Sequence, residues 1–207
     1  MSVLTSPETE LNTGVSYLPA DLIWRMSVAQ YHTIINSGAL TENDPVELLQ
    51  GWIVKKMPKK PRHSTVTRII RRLLADFVPE GWYVDSQEPI TTADSEPEPD
   101  VVVIRGTELD YLARHPQPQD VGLVVEVGDT TLAQDRTLKK RLYAAAAIPV
   151  YWLINLPDNQ VEVYSQPFVG VLGADYGQRQ TFGLNDQLPV VIAEVEIGKI
   201  AVSELLP

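Results

Sequence analysis

The chain has no cysteine, only three histidines and only three methionines among its 207 residues. Without cysteine there can be no disulfide and no thiolate metal site, so a bound metal would have to be held by oxygen atoms or by those few imidazoles. No apolar run is long enough to cross a bilayer as a helix, and the N-terminus lacks a basic stretch followed by an apolar one. A cytoplasmic location with no membrane partner is therefore expected. Basic residues are also scarce: 17 against 27 acids, a net charge of −10. That balance excludes a nonspecific nucleic-acid coat protein. Hydrophobic residues make up 44% and charged residues 21%, which is ordinary for a globular protein, and the length suits one domain with a sizeable core.

The few bases are not spread evenly. Residues 55 to 72 hold Lys55, Lys56, Lys59, Lys60, Arg62, Arg68, Arg71 and Arg72 and no acid, so eight of the 17 bases fall within 18 positions. Arg136, Lys139, Lys140 and Arg141 form a second cluster. Such polarisation suits a phosphate-tracking face on an otherwise repulsive body. The plainer alternative is a solvated helix face beside a lysine-rich hairpin.

Residues 1 to 18 are polar and aperiodic and are read as a loose leader, with residues 19 to 207 forming a single domain. Ala20 to Ser37 has helical spacing and stops at Gly38. Val46–Leu49 and Trp52–Val54 read as strands around a tight Gln50-Gly51 turn. A helix capped by Ser64 is expected to run to Phe77, burying Val66, Ile69, Ile70, Leu73 and Leu74. Trp82–Val84 begins a strand, which Pro89–Thr92 continues or partners. Strands follow at Val101–Ile104, Leu123–Val127 and Val150–Ile154, with a helix over 132–146. Val161–Tyr164 returns beside the last of these, a short helix is expected near Glu108–Arg114, and the tail holds short strands and a helical turn at Ser203–Leu206. This order implies a mixed sheet flanked by helices.

Two acids stand at the mouths of apolar runs. Asp100 precedes Val101-Val102-Val103-Ile104, and Glu126 lies within Leu123-Val124-Val125-Glu126-Val127. Continuous runs of this kind are strands buried on both faces. A carboxylate there is unfavourable unless it is paired or binds a cation. With Lys139 one helix later, the pair points to a hard-metal site; the alternative for each acid alone is a solvated strand end.

This arrangement resembles the PD-(D/E)XK, or restriction-endonuclease-like, superfamily. Between about residues 25 and 165 the segments Glu47-Leu48-Leu49-Gln50-Gly51, Pro61-Arg62-His63, Gln87-Glu88-Pro89-Ile90, Glu96-Pro97-Glu98-Pro99-Asp100-Val101, Val124–Thr131, Asp135–Lys139 and Tyr151–Asn155 follow in order. The series is similar to a large bacterial family of nucleases of that fold.

The resemblance implies an α/β (α+β) restriction-endonuclease-like fold and Mg²⁺-dependent (or Mn²⁺-dependent) hydrolysis of DNA. Asp100 and Glu126 would hold the metal, with the Val127 carbonyl as a third ligand and Glu47 as an auxiliary acid. The familiar motif places its lysine two residues after the glutamate, where this chain has Gly128. The family pattern moves that role to Lys139, which would orient or activate water, with Lys140 projecting elsewhere. Lys139 could instead be an exposed helical lysine paired with Asp135.

Lys55, Lys56, Lys59, Lys60, Arg62, His63, Arg68 and Arg72 would contact DNA. Gln87 could reach a metal-bound water. Asp129 and Thr130 are expected to cap the helix, and His32 and His115 to pack or lie on the surface. Tyr151 and Trp152 are expected in the core, while Trp52 and Trp82 either pack or stack on bases. A homodimer is expected through an exposed apolar tail at Val190–Ile192 and Ile200–Val202. The rival reading is a catalytically silent module of the same fold that binds nucleic acid or protein. A small-molecule phosphohydrolase would require a closed pocket.

Overall fold

The computed structural model describes residues 22–41 and 43–207; the leader expected over 1–18 lies outside the described residues. The first helix, α1 (Val28–Asn36), is shorter than its apolar spacing suggested. Ser27 takes an extended backbone and forms a reciprocal capping box with Gln30, which sets the start. Strands β1 (Val46–Leu49) and β2 (Trp52–Lys55) pair around Gln50 and Gly51, whose φ values of 50° and 79° suit a two-residue hairpin turn. Helix α2 (Pro61–Phe77) begins three residues before Ser64, because Pro61 can occupy the first turn without a missing hydrogen bond.

The centre is a six-stranded sheet in the order β3-β4-β5-β6-β7-β8. Its strands are β3 (Trp82–Asp85), β4 (Val101–Arg105), β5 (Val121–Gly128), β6 (Val150–Asn155), β7 (Gln160–Gly170) and β8 (Gly173–Gly183). Only β5 and β6 run parallel, because a helical crossover joins them; the other neighbours are antiparallel. Residues 89–92 form no strand, and the short helix after β4 is a 3₁₀ turn over Glu108–Tyr111.

The crossover is not a uniform helix. After α3 (Leu132–Gln134) comes a π-helical stretch, Asp135–Lys139, and then α4 (Lys140–Ala145). The Lys140 amide donates to Asp135 O, five residues back. The Tyr151 hydroxyl reaches the same carbonyl at 3.2 Å. A π turn inserts a residue and redirects the side chains that follow, a distortion often found at functional sites.

Both faces of the sheet are covered, which explains its unbroken Val/Ile/Leu strands. Val101, Val103, Leu123, Val125 and Trp152 face α2, the hairpin β9 (Gln187–Ile192) and β10 (Val195–Ala201), and the terminal helix α5 (Val202–Leu205). Val102, Ile104, Val124, Tyr151 and Leu153 face Leu142 and Tyr143 of α4. Val190, Ile192, Ile200 and Val202 are core residues, at most 2% exposed. The expectation that this tail offers an exposed dimer surface is therefore wrong: the alternation of β9 and β10 turns those residues onto the sheet. Among the described residues no helix is long and apolar enough to cross a membrane.

Candidate active site

The strand alternation that builds the core also places the acids. Glu126 lies between Val125 and Val127, which face α2, so its side chain emerges on the opposite face, under the crossover helix. Asp100 precedes the first residue of β4, next to the C-terminal half of β5, and its Oδ2 accepts the Val127 amide at 2.8 Å. Glu47 arrives from β1, which is held beside the Glu96–Asp100 segment by the Glu96 amide donating to Leu48 O at 2.7 Å. Glu47, Asp100, Glu126, Asp135 and Lys139 are all buried, each 5% exposed, around a cavity of about 90 Å³.

Lys139 joins two of these acids. Its Nζ lies 2.9 Å from Glu47 Oε2 and 3.2 Å from Glu126 Oε1. The Tyr143 hydroxyl donates to the same Glu126 oxygen at 2.6 Å. Lys140 points elsewhere, 2.6 Å from Asp175 Oδ1 and over the Tyr164 ring. The reading of Lys139 as an exposed lysine is thus overturned, because the π turn rolls it under the helix.

The electrostatics divide the acids. Burial pushes Glu126 up; Lys139 opposes this, but Asp100 and Asp135 add to it, and the result is a pKa of about 8. Asp135 is likewise raised, to about 6, by burial, against the Thr131 hydroxyl and Lys139 but with Asp100 and Glu47. Burial disfavours the Lys139 ammonium, yet Glu126, Glu47 and Asp135 together hold it cationic, above its usual value. One ammonium is therefore shared among three buried carboxylates. Asp100 differs: burial would raise it, but His63 at 3.1 Å, Lys59 at 3.2 Å and the Val127 amide outweigh that and lower it.

The residues fit a hard divalent cation by their chemistry. Carboxylate oxygens are what Mg²⁺ and Mn²⁺ take, and the surplus negative charge around Lys139 is what such an ion would neutralise. Among the described residues no three Asp, Glu or His side chains converge as a ready coordination shell. Asp100 is turned to Lys59 and His63, and Glu47 and Glu126 to Lys139, so Lys59 and His63 would have to yield to an incoming ion. The Gly128 carbonyl accepts the Leu156 amide on the β6 side. Strand alternation therefore turns the amide and carbonyl of Val127 toward the opposite edge, where Asp100 lies.

The basic segment is less free than its composition suggests. Lys56 donates to both carboxylate oxygens of Glu98 at 2.8 Å, Lys59 meets Asp100, and Lys60 lies 3.0 Å from Asp129. Arg62 is exposed but engaged: it donates to Leu156 O at 2.9 Å and to Asn159, pinning the β6–β7 turn. His63, expected to meet phosphate, holds Asp100. Lys55 is exposed at the cavity rim, and Arg68, Arg71 and Arg72 are exposed on α2.

Gln87 does not line the cavity; its amide donates to Pro99 O. Asp129 does not cap the helix but pairs with Lys60, and the cap position falls on Thr131. His32 is bound to the buried Glu96 at 2.7 Å. Trp82 packs against Gly122 and beneath Arg105. Sequence reasoning missed Asp135 as a site acid and the Tyr143 hydroxyl on Glu126. The available signal was the spacing of Asp135, Lys139 and Tyr143, four residues apart along one helix.

A mixed sheet with acids at neighbouring strand ends and a helix-borne lysine defines a restriction-endonuclease-like architecture. The sequence profile of the Uma2 family, described as "Putative restriction endonuclease", matches residues 28–202, and the chain belongs to that family. A solved structure from Anabaena variabilis, described as a "putative nuclease belonging to DUF820", shares the fold. It superposes with a TM-score of 0.66 at 17% identity, covering 87% of this chain and 97% of that one. No curated protein matches the chain.

Proposed function

We propose that this chain is a divalent-metal-dependent nuclease that hydrolyses DNA phosphodiester bonds at the Glu47/Asp100/Glu126/Lys139 cluster. The observation that carries the reading is the single buried ammonium of Lys139 shared between Glu47 and Glu126, with Asp100 at the adjacent strand end. Asp100 and Glu126 would hold Mg²⁺ or Mn²⁺, with the Val127 carbonyl as a further donor and Glu47 as an auxiliary acid. The bound ion would polarise the phosphate and lower the pKa of a nucleophilic water.

The protein's own groups have distinct tasks. Glu47 and Glu126 fix the Lys139 ammonium from two sides, so its position does not depend on substrate. From there it can orient the attacking water and offset charge on the phosphoryl oxygens. Tyr143 fixes the rotamer of Glu126 through its hydroxyl. Lys59, 36% exposed and borne on the loop above the cavity, is able to leave Asp100 and meet a phosphate instead. Arg68, Arg71 and Arg72 supply exposed charge for the DNA backbone.

The test is cleavage of plasmid and single-stranded DNA with Mg²⁺ or Mn²⁺. The nuclease reading expects cutting that stops with chelator and with Asp100→Ala while DNA affinity persists. DNA binding with no cleavage under any divalent ion would instead establish the catalytically silent module.

A further inference from the structure

We propose that His32 and His115, backed by Glu96, form a second cation site, separate from the carboxylate cluster, that takes a borderline transition ion such as Zn²⁺. The chain has only three histidines, and one of them, His63, is engaged with Asp100. The other two come from distant parts of the chain, α1 and the loop between β4 and β5. Their rings nonetheless meet edge to face, with centroids 6.4 Å apart. They line a cavity of about 530 Å³ that shares no lining residue with the candidate active site.

Behind the rings lies a carboxylate that the fold has sunk. Glu96 is 4% exposed, and its amide is fixed on Leu48 O. Its Oε2 faces His32 Nε2 at 2.7 Å and accepts the Thr91 hydroxyl at 2.8 Å. An ionised carboxylate can only accept, so Nε2 carries the hydrogen of His32 and Nδ1 keeps the lone pair. Among the described residues, His32 Nδ1, both ring nitrogens of His115 and Glu96 Oε1 are without a hydrogen-bond partner. A histidine that gives one ring N–H to a carboxylate and keeps the other nitrogen free is oriented as metal-ligating histidines usually are. Imidazole suits Zn²⁺, Cu²⁺ or Ni²⁺ and is a poor donor for Mg²⁺, so this ion differs from that of the carboxylate cluster.

The spacing suits one shared ion. With Zn–N bonds of about 2.1 Å, two rings on one tetrahedral ion have centres roughly 5 Å apart. The observed separation is a little larger, and His115, exposed on its loop, can close it by turning its side chain. Among the described residues no third Asp, Glu or His converges on the pair, so water would fill the remaining positions. The local charge favours a cation. Glu96 lies behind His32; burial and Asp85 raise the pKa of Glu88 while His115 opposes them, which sets a second acid close to the pair. Arg114, the permanently charged residue of the lining, is neutralised by Asp120 at 2.7 Å. A bound ion would fasten α1 to the β4–β5 loop. The site is independent of the nuclease reading.

The test is calorimetric titration of untagged protein with Zn²⁺, with melting followed in parallel. Glu126→Gln, which disables the carboxylate cluster, should bind a single Zn²⁺ per chain and melt higher as the site fills. Adding His115→Ala, at an exposed position, should abolish both effects. Adding Glu96→Gln instead should weaken binding roughly 10-fold, the loss expected for an outer partner of a ligating histidine. Failure of Glu126→Gln to bind Zn²⁺ overturns the proposal. So does binding of undiminished affinity once His115→Ala is added.

Discussion

Two buried glutamates lie in one row across the sheet, and they have opposite fates. Glu126 on β5 is registered with Leu153 on β6, which is registered with Glu162 on β7. Both glutamates face the crossover helix, and both contact its cations. Glu162 is met by Arg136 Nε at 2.9 Å on one oxygen, and by Arg179 at 3.1 Å and the Tyr164 hydroxyl on the other. Burial would raise its pKa, but Arg136, Tyr164 and Arg179 outweigh burial and lower it. Glu126 has a share of one ammonium and two nearby acids, and is raised. Glu162 is a fully compensated charge that fastens the helix to the sheet. Glu126 is under-compensated, a state a fold sustains when something else supplies the missing charge.

The comparison predicts its largest effect in catalysis. Glu126→Gln should lower DNA cleavage by about 10³-fold, whereas Glu162→Gln should leave the rate near wild type. Equal losses in both variants would remove the distinction. The neighbouring lysines sharpen it. Lys139→Met should lower the cleavage rate by about 10²-fold with little change in DNA affinity, the pattern of a contact that strengthens in the transition state. Lys140→Met, which loses the pair with the partly exposed Asp175 and the contact with the Tyr164 ring, should change neither rate nor affinity and cost about 1 kcal/mol of stability at most.

Stability should rank the two glutamates the other way. Glu162→Ala leaves two arginines facing a void and should destabilise by about 2 kcal/mol, below the loss for a fully buried pair because Arg136 and Arg179 are partly solvated. Denaturant unfolding measures it, and a loss under half that figure would make Glu162 ordinary. Glu126→Gln should be neutral or stabilising in metal-free protein.

The pH dependence follows with opposite signs. The folded pKa of Glu126, about 8, lies above the ordinary 4.5, so the folded state holds the extra proton and stability falls as pH rises between those values. The folded pKa of Glu162 is depressed, so its contribution is present above its unfolded pKa and is lost as pH falls through the folded one. Melting temperature against pH in chelator should therefore lose its neutral-side decline in Glu126→Gln and its acid-side decline in Glu162→Gln. A separate effect belongs to α2: replacing Arg68, Arg71 and Arg72 together should weaken DNA binding at every sequence and flatten its salt dependence by about one power of salt concentration per arginine.

What the sequence revealed followed the same physical division. The Asp100 and Glu126 strands were legible because a charge inside a Val/Ile run conflicts with burial, and that conflict is visible without coordinates. Glu162 was not, since Val161-Glu162-Val163-Tyr164 alternates as any half-exposed strand does; only the sheet order shows the helix lying over it. The π turn was equally hidden, because 132–146 has good helical composition throughout and the inserted residue is selected by tertiary contacts such as that of Tyr151. The basic run was read correctly as a cluster but not as a structure. Composition cannot show that Lys56, Lys59 and Lys60 lie within reach of Glu98, Asp100 and Asp129. The tail failed for a related reason: apolar alternation in β9 and β10 signals a buried face, and assigning it to a partner overlooked the sheet face it covers.

The central claim, that Glu126 and Asp100 await a cation while Glu162 does not, is tested most directly by divalent-ion stabilisation. Wild-type protein would be melted in chelator and in rising Mn²⁺, beside Glu126→Gln, Asp100→Ala and Glu162→Gln. The account predicts saturable stabilisation of wild type and Glu162→Gln and its loss in Glu126→Gln and Asp100→Ala. Absence of stabilisation in wild type, or its persistence in Glu126→Gln, would contradict it.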